Sequence, residues 1–137
     1  MGADILLQTT LSNRFGSLEI SGDGEQNRLI VTARGYIGPA LIRRELAVAR
    51  EFGLACPDGW DYIVDTSALR MANPLNLLYL RRIPALPNLR GYIVVAPKRW
   101  VRLLMALASP LLRPTAILTA REPAWGRPDR AADAGLD

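Results

Sequence analysis

Two apolar stretches decide the fold of this chain: residues 61–66 read DYIVDT and residues 91–96 read GYIVVA. Both are short, rich in β-branched residues and bounded by Gly, Pro or polar residues, which is typical of buried strands. GYIVVA is the more hydrophobic of the two and is expected at the centre of a parallel sheet. DYIVDT ends in a polar cluster that begins at Asp65. The pattern indicates a parallel sheet that contains both strands.

On the N-terminal side of these strands, three more elements can be recognised. Residues 15–20 and 28–34 are predicted strands, and the connection SGDGEQN between them favours a hairpin. A helix is predicted from Gly38-Pro39, because residues 41–52 carry an apolar stripe at helical spacing. Gly53 is expected to cap the C-terminus of this helix.

On the C-terminal side, prolines mark two helices and a last strand. Asn73-Pro74 predicts the start of a short helix, since Asn is a good N-cap and Pro is favoured at the first helical position. Pro97 is expected to open a third helix, which Ser109-Pro110 must end or kink. Residues 115–119 (TAILT) are predicted to form the last strand.

The predicted order of elements is therefore β-β-α-β-α-β-α-β. Strands that alternate with helices favour an α/β fold with a single-layer mixed, mostly parallel sheet and one antiparallel edge strand. A length of 137 residues suits one domain with one core. We expect this domain to span residues 1–125, and the small and polar residues 126–137 to form a mobile tail.

The charge of the chain is distributed unevenly. Between Asp65 and Glu122 there are nine basic side chains and no acidic one, whereas the whole chain has a net charge of +4. Such a one-sided distribution attracts anions, namely phosphate head groups, nucleic acid or an acidic protein. Nucleic acid is the weakest of these hypotheses, because no nucleic-acid-binding motif accompanies the charge.

Missing residue types exclude several classes of function. The chain has no His and a single Cys, which excludes Ser-His-Asp and Cys-His catalysis, the usual zinc sites and an internal disulfide. No Gly-rich phosphate loop joins a strand to a helix. The longest apolar stretch, residues 101–112, is shorter than the roughly 20 residues of a membrane span, and no signal peptide is evident. We expect a cytoplasmic protein with no metal, no cofactor and no transmembrane segment.

The sharpest positive signal lies at the start of the predicted third helix. Three cations fall in its first turn, where they oppose the helix dipole and where backbone N–H groups favour anions. This concentration predicts an anion-binding site, with a Trp as an interfacial or stacking group. The alternative is a solvated helix start whose Trp packs into the core. The predicted site, called the basic edge below, comprises Lys98, Arg99, Trp100, Arg102 and Arg70, and Arg34 and Arg121 are expected beside it.

A second candidate site is the loop at the sheet edge that contains Asp65, Ser67 and Asn73. Open α/β sheets place ligands at the carboxyl ends of their strands, and a carboxylate there can act as a base or as a metal ligand. The structural alternative, which we favour, is that Asp65 accepts hydrogen bonds from the following loop and that Ser67 caps a turn. Cys56 has no cationic neighbour in the sequence and is expected to be a structural thiol.

The order of elements and three short motifs resemble the STAS domain, the module of anti-sigma-factor antagonists and of the cytoplasmic tails of sulfate transporters. Residues 29–37 (LIVTARGYI) are similar to that family's second strand, which runs through a Gly into the first helix. Residues 62–69 (YIVDTSAL) are similar to its central strand, where an Asp-x-Ser step follows a hydrophobic run. Residues 122–125 (EPAW) are similar to the closing segment of the SpoIIAA-like branch, some of whose members resemble lipid-binding Sec14-type domains. The resemblance implies a regulatory binding domain.

The resemblance breaks at the regulatory loop. About eight residues after the first Asp, the antagonists carry an Asp-Ser-Ser-Gly step, and a partner kinase phosphorylates its Ser. The corresponding residues 73–76 read NPLN here, and Pro74 offers no hydroxyl. We therefore expect that this chain is not a substrate of such a kinase.

Three functional hypotheses remain. The first is a non-enzymatic STAS-like domain whose basic edge binds a protein partner or an anionic ligand such as a lipid head group. The second is a lipid- or membrane-surface-binding module, suggested by the basic helix start beside Trp100 and by the apolar residues 101–112. The third is an enzyme that uses Asp65 and Ser67. Residues 101–112 are expected to be buried against the sheet, and a lipid pocket or a homodimer interface is the alternative.

Overall fold

One mixed sheet of six strands organises the computed structural model, which describes residues 6–121. The strands lie side by side in the order of the chain. The first two pairings are antiparallel and the other three are parallel. The strands are β1 (Leu6–Ser12), β2 (Gly16–Asp23), β3 (Arg28–Ile37), β4 (Trp60–Ala72), β5 (Leu89–Val95) and β6 (Ala116–Leu118). The predicted α/β class with a mostly parallel sheet is confirmed.

Helical segments connect the parallel strands. Helix α1 (Pro39–Leu54) follows β3, the one-turn helix α2 (Leu77–Leu80) follows β4, and α3 (Arg99–Leu112) follows β5. Two 3₁₀ turns, Pro74–Asn76 and Ile83–Ala85, flank α2. Apolar side chains of α1, of α3 and of one face of the sheet form a single hydrophobic core. This arrangement places the described helices and that sheet face around one interior.

The apolar pattern of each element matches its burial. In β2, Leu18 and Ile20 are buried while the residues between and beside them are less buried, as expected for a strand with one covered face. In α1, the buried positions include Leu41, Ala49 and Phe52, which recur at helical spacing. Gly53 lies inside α1, whereas the sequence predicted it as the cap. A Cβ at Gly53 would lie 2.5 Å from the carbonyl oxygen of Pro87, so close packing explains this Gly.

Several predicted boundaries were wrong, each for a local reason. Strand β1 was not predicted, because only Leu7 and Leu11 give its inward face an apolar signal. The order is therefore β-β-β-α-β-α-β-α-β, and both β1 and β2 are antiparallel to their neighbours. Strand β5 is the last but one in the sheet and does not lie at its centre. Strand β4 continues to Ala72, well past the predicted end at residue 66.

Pro110 does not end α3, which continues to Leu112. A proline lacks the N–H that would bond the carbonyl oxygen of Ala106, four residues earlier. The hydroxyl of Ser109 donates to that same oxygen at 3.0 Å. Arg113, the residue that caps the helix after Leu112, adopts the left-handed conformation with φ 48°. The predicted tail at residues 126–137 and the motif at residues 122–125 lie outside the described residues.

Candidate functional site

A cavity of about 210 Å³ lies between the sheet and the helices α1 and α3, closed on a third side by the segment from Pro74 to Leu80. Its floor is the inward face of β2 to β5, where Leu18, Tyr92 and Val94 contribute to the lining. Almost all of the lining surface is carbon. Four of the lining residues are solvent-exposed, so the cavity opens to solvent there. We call these four the cavity mouth: Pro74, Leu77, Trp100 and Leu104.

Glu45 brings an ionisable carboxyl group into this mainly apolar lining. It lies on the buried stripe of α1 with 1% of its surface exposed. The Tyr62 hydroxyl, from β4, donates a hydrogen bond to Glu45 Oε2. Burial raises the pKa of Glu45 from 4.5 to about 7, because desolvation penalises the carboxylate, while the Tyr62 hydrogen bond lowers it in part. Burial and the nearby Glu45 carboxylate raise the pKa values of both Tyr62 and Tyr92, so the hydroxyl groups of the two tyrosines are neutral near pH 7.

Glu45 was not among the predicted site residues, although the sequence pattern carries a signal for it. Residue 45 falls on the same stripe as Leu41, Ile42 and Ala49, where an acidic side chain is unexpected. A charged residue in the middle of an apolar helix face is a candidate functional group, because its burial is costly.

Asn76 carries the second notable polar group of the cavity. It is 4% exposed, and its Nδ2 donates to the carbonyl oxygen of Ile37 at 3.0 Å. Its Oδ1 is buried and has no hydrogen-bond partner within residues 6–121. A buried acceptor without a partner costs about 1–3 kcal/mol. Two other polar residues that line the cavity have hydrogen-bond partners: Thr66 donates to Val95 O at 2.8 Å, and Asn73 accepts from Leu75 N at 2.9 Å.

The outer side of α3 presents an apolar surface to solvent. The exposed positions 100, 103, 104, 107 and 111 recur every three or four residues, which places them on one face of the helix. Leu107 is 73% exposed and Leu103 is 61% exposed. The expectation that residues 101–112 are buried holds for Val101, Met105, Ala108 and Leu112 and is wrong for these leucines. We call the exposed stripe the α3 face: Trp100, Leu103, Leu104, Leu107 and Leu111.

The basic edge is assembled at the start of α3, but two of its cations bind backbone carbonyls. Lys98 Nζ donates to Leu69 O at 2.5 Å. Arg102 Nη1 donates to Ala96 O at 3.1 Å and to Pro97 O at 2.7 Å. These bonds tie α3 to the ends of its neighbouring strands. Arg99 and Arg70 are exposed, and Arg70 follows the carbonyl group that Lys98 binds. The structure therefore ties Lys98 to the backbone of β4 at Leu69 and leaves the side chains of Arg99 and Arg70 exposed to solvent.

The two arginines expected beside the basic edge are engaged in ion pairs. Arg34 Nε lies 2.5 Å from Glu19 Oε2 on the neighbouring strand. Arg121 Nε lies 2.5 Å from Asp65 Oδ2, and its side chain is only 11% exposed. Arg121 also donates to the Thr32 hydroxyl at 2.8 Å.

Asp65 lies inside the sheet and does not line the cavity. Its Oδ1 accepts from the backbone N–H of Ser67 at 2.8 Å and from the Ser67 hydroxyl at 2.5 Å. Val64 and Thr66 line the cavity, and because side chains alternate along a strand, Asp65 lies on the other face of the sheet. Asn73 lies at the end of β4, where it donates to the Tyr36 hydroxyl at 3.0 Å. The structure thus joins Asp65 with Ser67 and separates both from Asn73, an arrangement that suits the structural interpretation of Asp65.

Other chemistry is limited in the described part of the chain. Among residues 6–121, no group of three His, Cys, Asp or Glu side chains could hold a metal ion. In the same range no helix has the length and apolar character needed to cross a membrane. Cys56 is buried, and burial raises the pKa of its thiol, which disfavours the reactive thiolate.

Comparison with solved structures finds proteins of similar fold. No family model and no curated protein matches the chain. The fold is similar to the crystal structure of an anti-sigma factor antagonist from Mycobacterium paratuberculosis, with a TM-score of 0.47 and 16% sequence identity. The alignment covers 98% of this chain and 97% of that chain.

Proposed function

We propose that this domain is a non-enzymatic binding module that attaches reversibly to anionic membrane surfaces through the α3 face and the neighbouring arginines. The observation that carries the proposal is the stripe of four exposed leucines and a half-exposed Trp on α3. A helix that is apolar on both its inner and outer sides is normally covered on both. Here the outer side faces solvent within the described structure.

The charges around the α3 face favour a surface that carries phosphate. Arg99 begins α3 and is exposed, next to Trp100 in the chain. No acidic residue occurs between Asp65 and Glu122, so no carboxylate of this segment repels an anionic surface. An apolar helix face bordered by cations is the pattern of helices that lie in a membrane interface. The basic edge of the sequence analysis then acts together with the leucines.

The expected affinity is modest. Removing the exposed part of each leucine from water contributes about 1 kcal/mol, hence roughly 4 kcal/mol for the four. The exposed Arg99 at the start of α3 contributes about 1 kcal/mol near an anionic surface. A sum of about 5 kcal/mol corresponds to an association constant on the order of 10³ to 10⁴ M⁻¹. This value is similar to that of a single myristoyl chain and supports reversible attachment.

Co-sedimentation with vesicles tests the proposal. Vesicles of phosphatidylcholine mixed with phosphatidylglycerol are expected to bind the protein, and binding is expected to weaken as salt rises. Leu107→Gln is expected to weaken binding about tenfold, because it removes an inserted apolar side chain and adds an amide. Leu54→Gln on α1 is the matched control, since Leu54 is 53% exposed but lies outside the α3 face.

Two outcomes would contradict the membrane proposal. One is equal loss of binding in Leu107→Gln and Leu54→Gln. The other is no binding to anionic vesicles. If the protein instead forms a dimer in solution that Leu107→Gln dissociates, the α3 face is a homodimer interface. If it stays monomeric and binds no vesicle, the α3 face is assigned as a binding site for another protein, which was the first hypothesis from the sequence.

A further inference from the structure

The carboxyl group of Glu45 offers one unpaired oxygen to the cavity behind α3. Its Oε2 accepts from the Tyr62 hydroxyl, and within residues 6–121 its Oε1 has no hydrogen-bond partner. Among the described side chains, the one acceptor that is fully enclosed and lacks a partner is Asn76 Oδ1, so Glu45 Oε1 keeps some accessible surface. Glu45 lines the cavity and lies on the buried stripe of α1, so this surface faces the cavity. An occupant that matches it must supply a hydrogen-bond donor.

The charge environment favours an occupant that carries a positive charge. An isolated carboxylate in an apolar interior is costly, and a hydrogen-bonded cation beside it offsets that cost. The titratable groups that face Glu45 are the hydroxyl groups of Tyr62 on β4 and Tyr92 on β5, which are neutral near pH 7. The side chains that β2, β3, α3 and residues 74–80 contribute to the lining are uncharged. A cationic occupant would therefore supply the countercharge that the described lining does not.

The rest of the lining sets the size and the apolar body of the occupant. It consists mainly of aliphatic side chains, including Leu18, Val94 and Met105. An engineered apolar cavity of about 150 Å³ holds benzene, which has six heavy atoms. By proportion, the cavity of about 210 Å³ holds roughly eight heavy atoms. The lining therefore suits a small aliphatic molecule with one charged donor group.

We infer that the cavity binds one small aliphatic amine as its cation, with an ammonium N–H donating to Glu45 Oε1 and the hydrocarbon part against the carbon lining. This chemistry is shared by tertiary and primary amines. A tertiary ammonium has a single N–H and matches the single open acceptor, whereas a primary ammonium must pair its other N–H groups elsewhere. The inference goes beyond attachment of the α3 face to membranes, because it concerns one molecule bound in the interior without a bilayer.

The test uses ligands of matched size on the unaltered protein without vesicles. N,N-Dimethylpentylamine, heptylamine, heptan-1-ol and trimethylpentylammonium are titrated at pH 8 while methyl and amide NMR shifts are recorded. The tighter of the two amines is expected to bind at least tenfold more tightly than heptan-1-ol, a donor without charge, and than trimethylpentylammonium, a charge without a donor. The shifts should cluster at residues that line the cavity. Tighter binding of N,N-dimethylpentylamine than of heptylamine assigns a tertiary amine, and the reverse order assigns a primary amine.

The pH dependence of binding connects the amine to Glu45. The pKa of Glu45 is about 7, so its ionised fraction rises about tenfold between pH 6 and pH 8. Alkylamines, with a pKa of about 10 like that of a lysine side chain, stay protonated in this range. Amine affinity is therefore expected to rise about tenfold from pH 6 to pH 8, while heptan-1-ol affinity changes much less. In Glu45→Gln, amine affinity at pH 8 is expected to be at least tenfold lower and to lose this pH dependence.

Two further variants show whether the amine occupies the cavity. Ala108→Leu adds carbon atoms to a buried residue of α3 that lines the cavity and is expected to weaken amine binding at least tenfold. Ala47→Leu on the exposed side of α1 is the matched control and is expected to bind normally. If Ala108→Leu does not fold, Ala33→Val adds a smaller volume from β3 at the same lining.

Four results would overturn the inference. Equal affinity for heptan-1-ol and the amines at pH 8 would remove the positive charge as a basis of recognition. Equal affinity for trimethylpentylammonium would remove the N–H donor. Amine affinity that is the same at pH 6 and pH 8 would remove Glu45 as the acceptor. Shifts at the outer surface of α3 and none at the cavity lining would show that the amine meets only the exposed leucines. None of these results depends on vesicle binding, so this inference and the proposed membrane attachment can fail independently.

Discussion

Replacing Glu45 by Gln is expected to change how the stability of the fold depends on pH. The folded pKa of Glu45 is about 7, above the ordinary value of 4.5, because the carboxyl group is buried. Between these two values the folded protein keeps a proton that the unfolded chain releases. The stability linked to this group is therefore fully present below about pH 4.5 and is lost as pH rises through about 7.

The magnitude follows from the two pKa values. The difference between 4.5 and about 7 corresponds to a loss of about 3 kcal/mol once the carboxylate is fully ionised in the folded protein. Between pH 5 and pH 8 the expected loss is about 2 to 3 kcal/mol. The groups that face Glu45 from the sheet are Tyr62 and Tyr92, whose raised pKa values keep them neutral in this range. The loss therefore belongs to Glu45.

Gln at position 45 keeps the shape of the side chain and an oxygen that accepts the Tyr62 hydroxyl, but it does not ionise. Urea unfolding followed by circular dichroism gives the free energy of unfolding of both proteins at pH 5 and pH 8. The stability of Glu45→Gln relative to the parent is expected to rise by about 2 to 3 kcal/mol between pH 5 and pH 8. A relative stability that is the same at both pH values would refute the reasoning, because Glu45 would then not titrate in this range.

Three further changes have distinct expected results. Tyr62→Phe removes the hydrogen bond that lowers the Glu45 pKa, so the pH window of stability loss should move upward in the same unfolding measurements. Asp65→Asn removes the carboxylate that pairs with Arg121 and is expected to lower the free energy of unfolding by about 1.5 to 3 kcal/mol, the contribution of a hydrogen bond to a charged group; an unchanged value in the same urea measurements would contradict this. Arg99→Gln is expected to weaken binding to anionic vesicles without lowering the melting temperature, because Arg99 is exposed at the start of α3; a clear drop in that temperature would show a structural role.

The sequence predicted the elements whose signal is local. Alternating burial along β2 and the apolar stripe of α1 appear directly in the residue pattern, and both elements were predicted. The boundary of β4 was wrong because Thr66 and Ser67 read as a turn, whereas pairing with β3 extends the strand to Ala72. The continuation of α3 through Pro110 was also unexpected, because it depends on the Ser109 hydroxyl taking the place of a backbone donor.

The candidate site was predicted less well because its groups meet through long-range contacts. Glu45 acquires its raised pKa from burial and from Tyr62, which lies 17 residues away in the chain. Asn76 is oriented by the carbonyl group of Ile37, 39 residues away. The basic edge was predicted from the cations clustered at the start of α3. That clustering gave no sign that Lys98 and Arg102 bind backbone carbonyls there.

Fluorescence of an environment-sensitive dye on a single residue tests the membrane proposal most directly. Cys56 is buried, so a Leu107→Cys variant offers one accessible thiol for labelling within the described residues, and Leu54→Cys is its matched control. With phosphatidylglycerol-containing vesicles, the dye at position 107 is expected to show a blue-shifted and brighter emission, while the dye at position 54 stays unchanged. Equal shifts at both positions, or no shift at position 107 under conditions where the protein sediments with the vesicles, would contradict insertion of the α3 face.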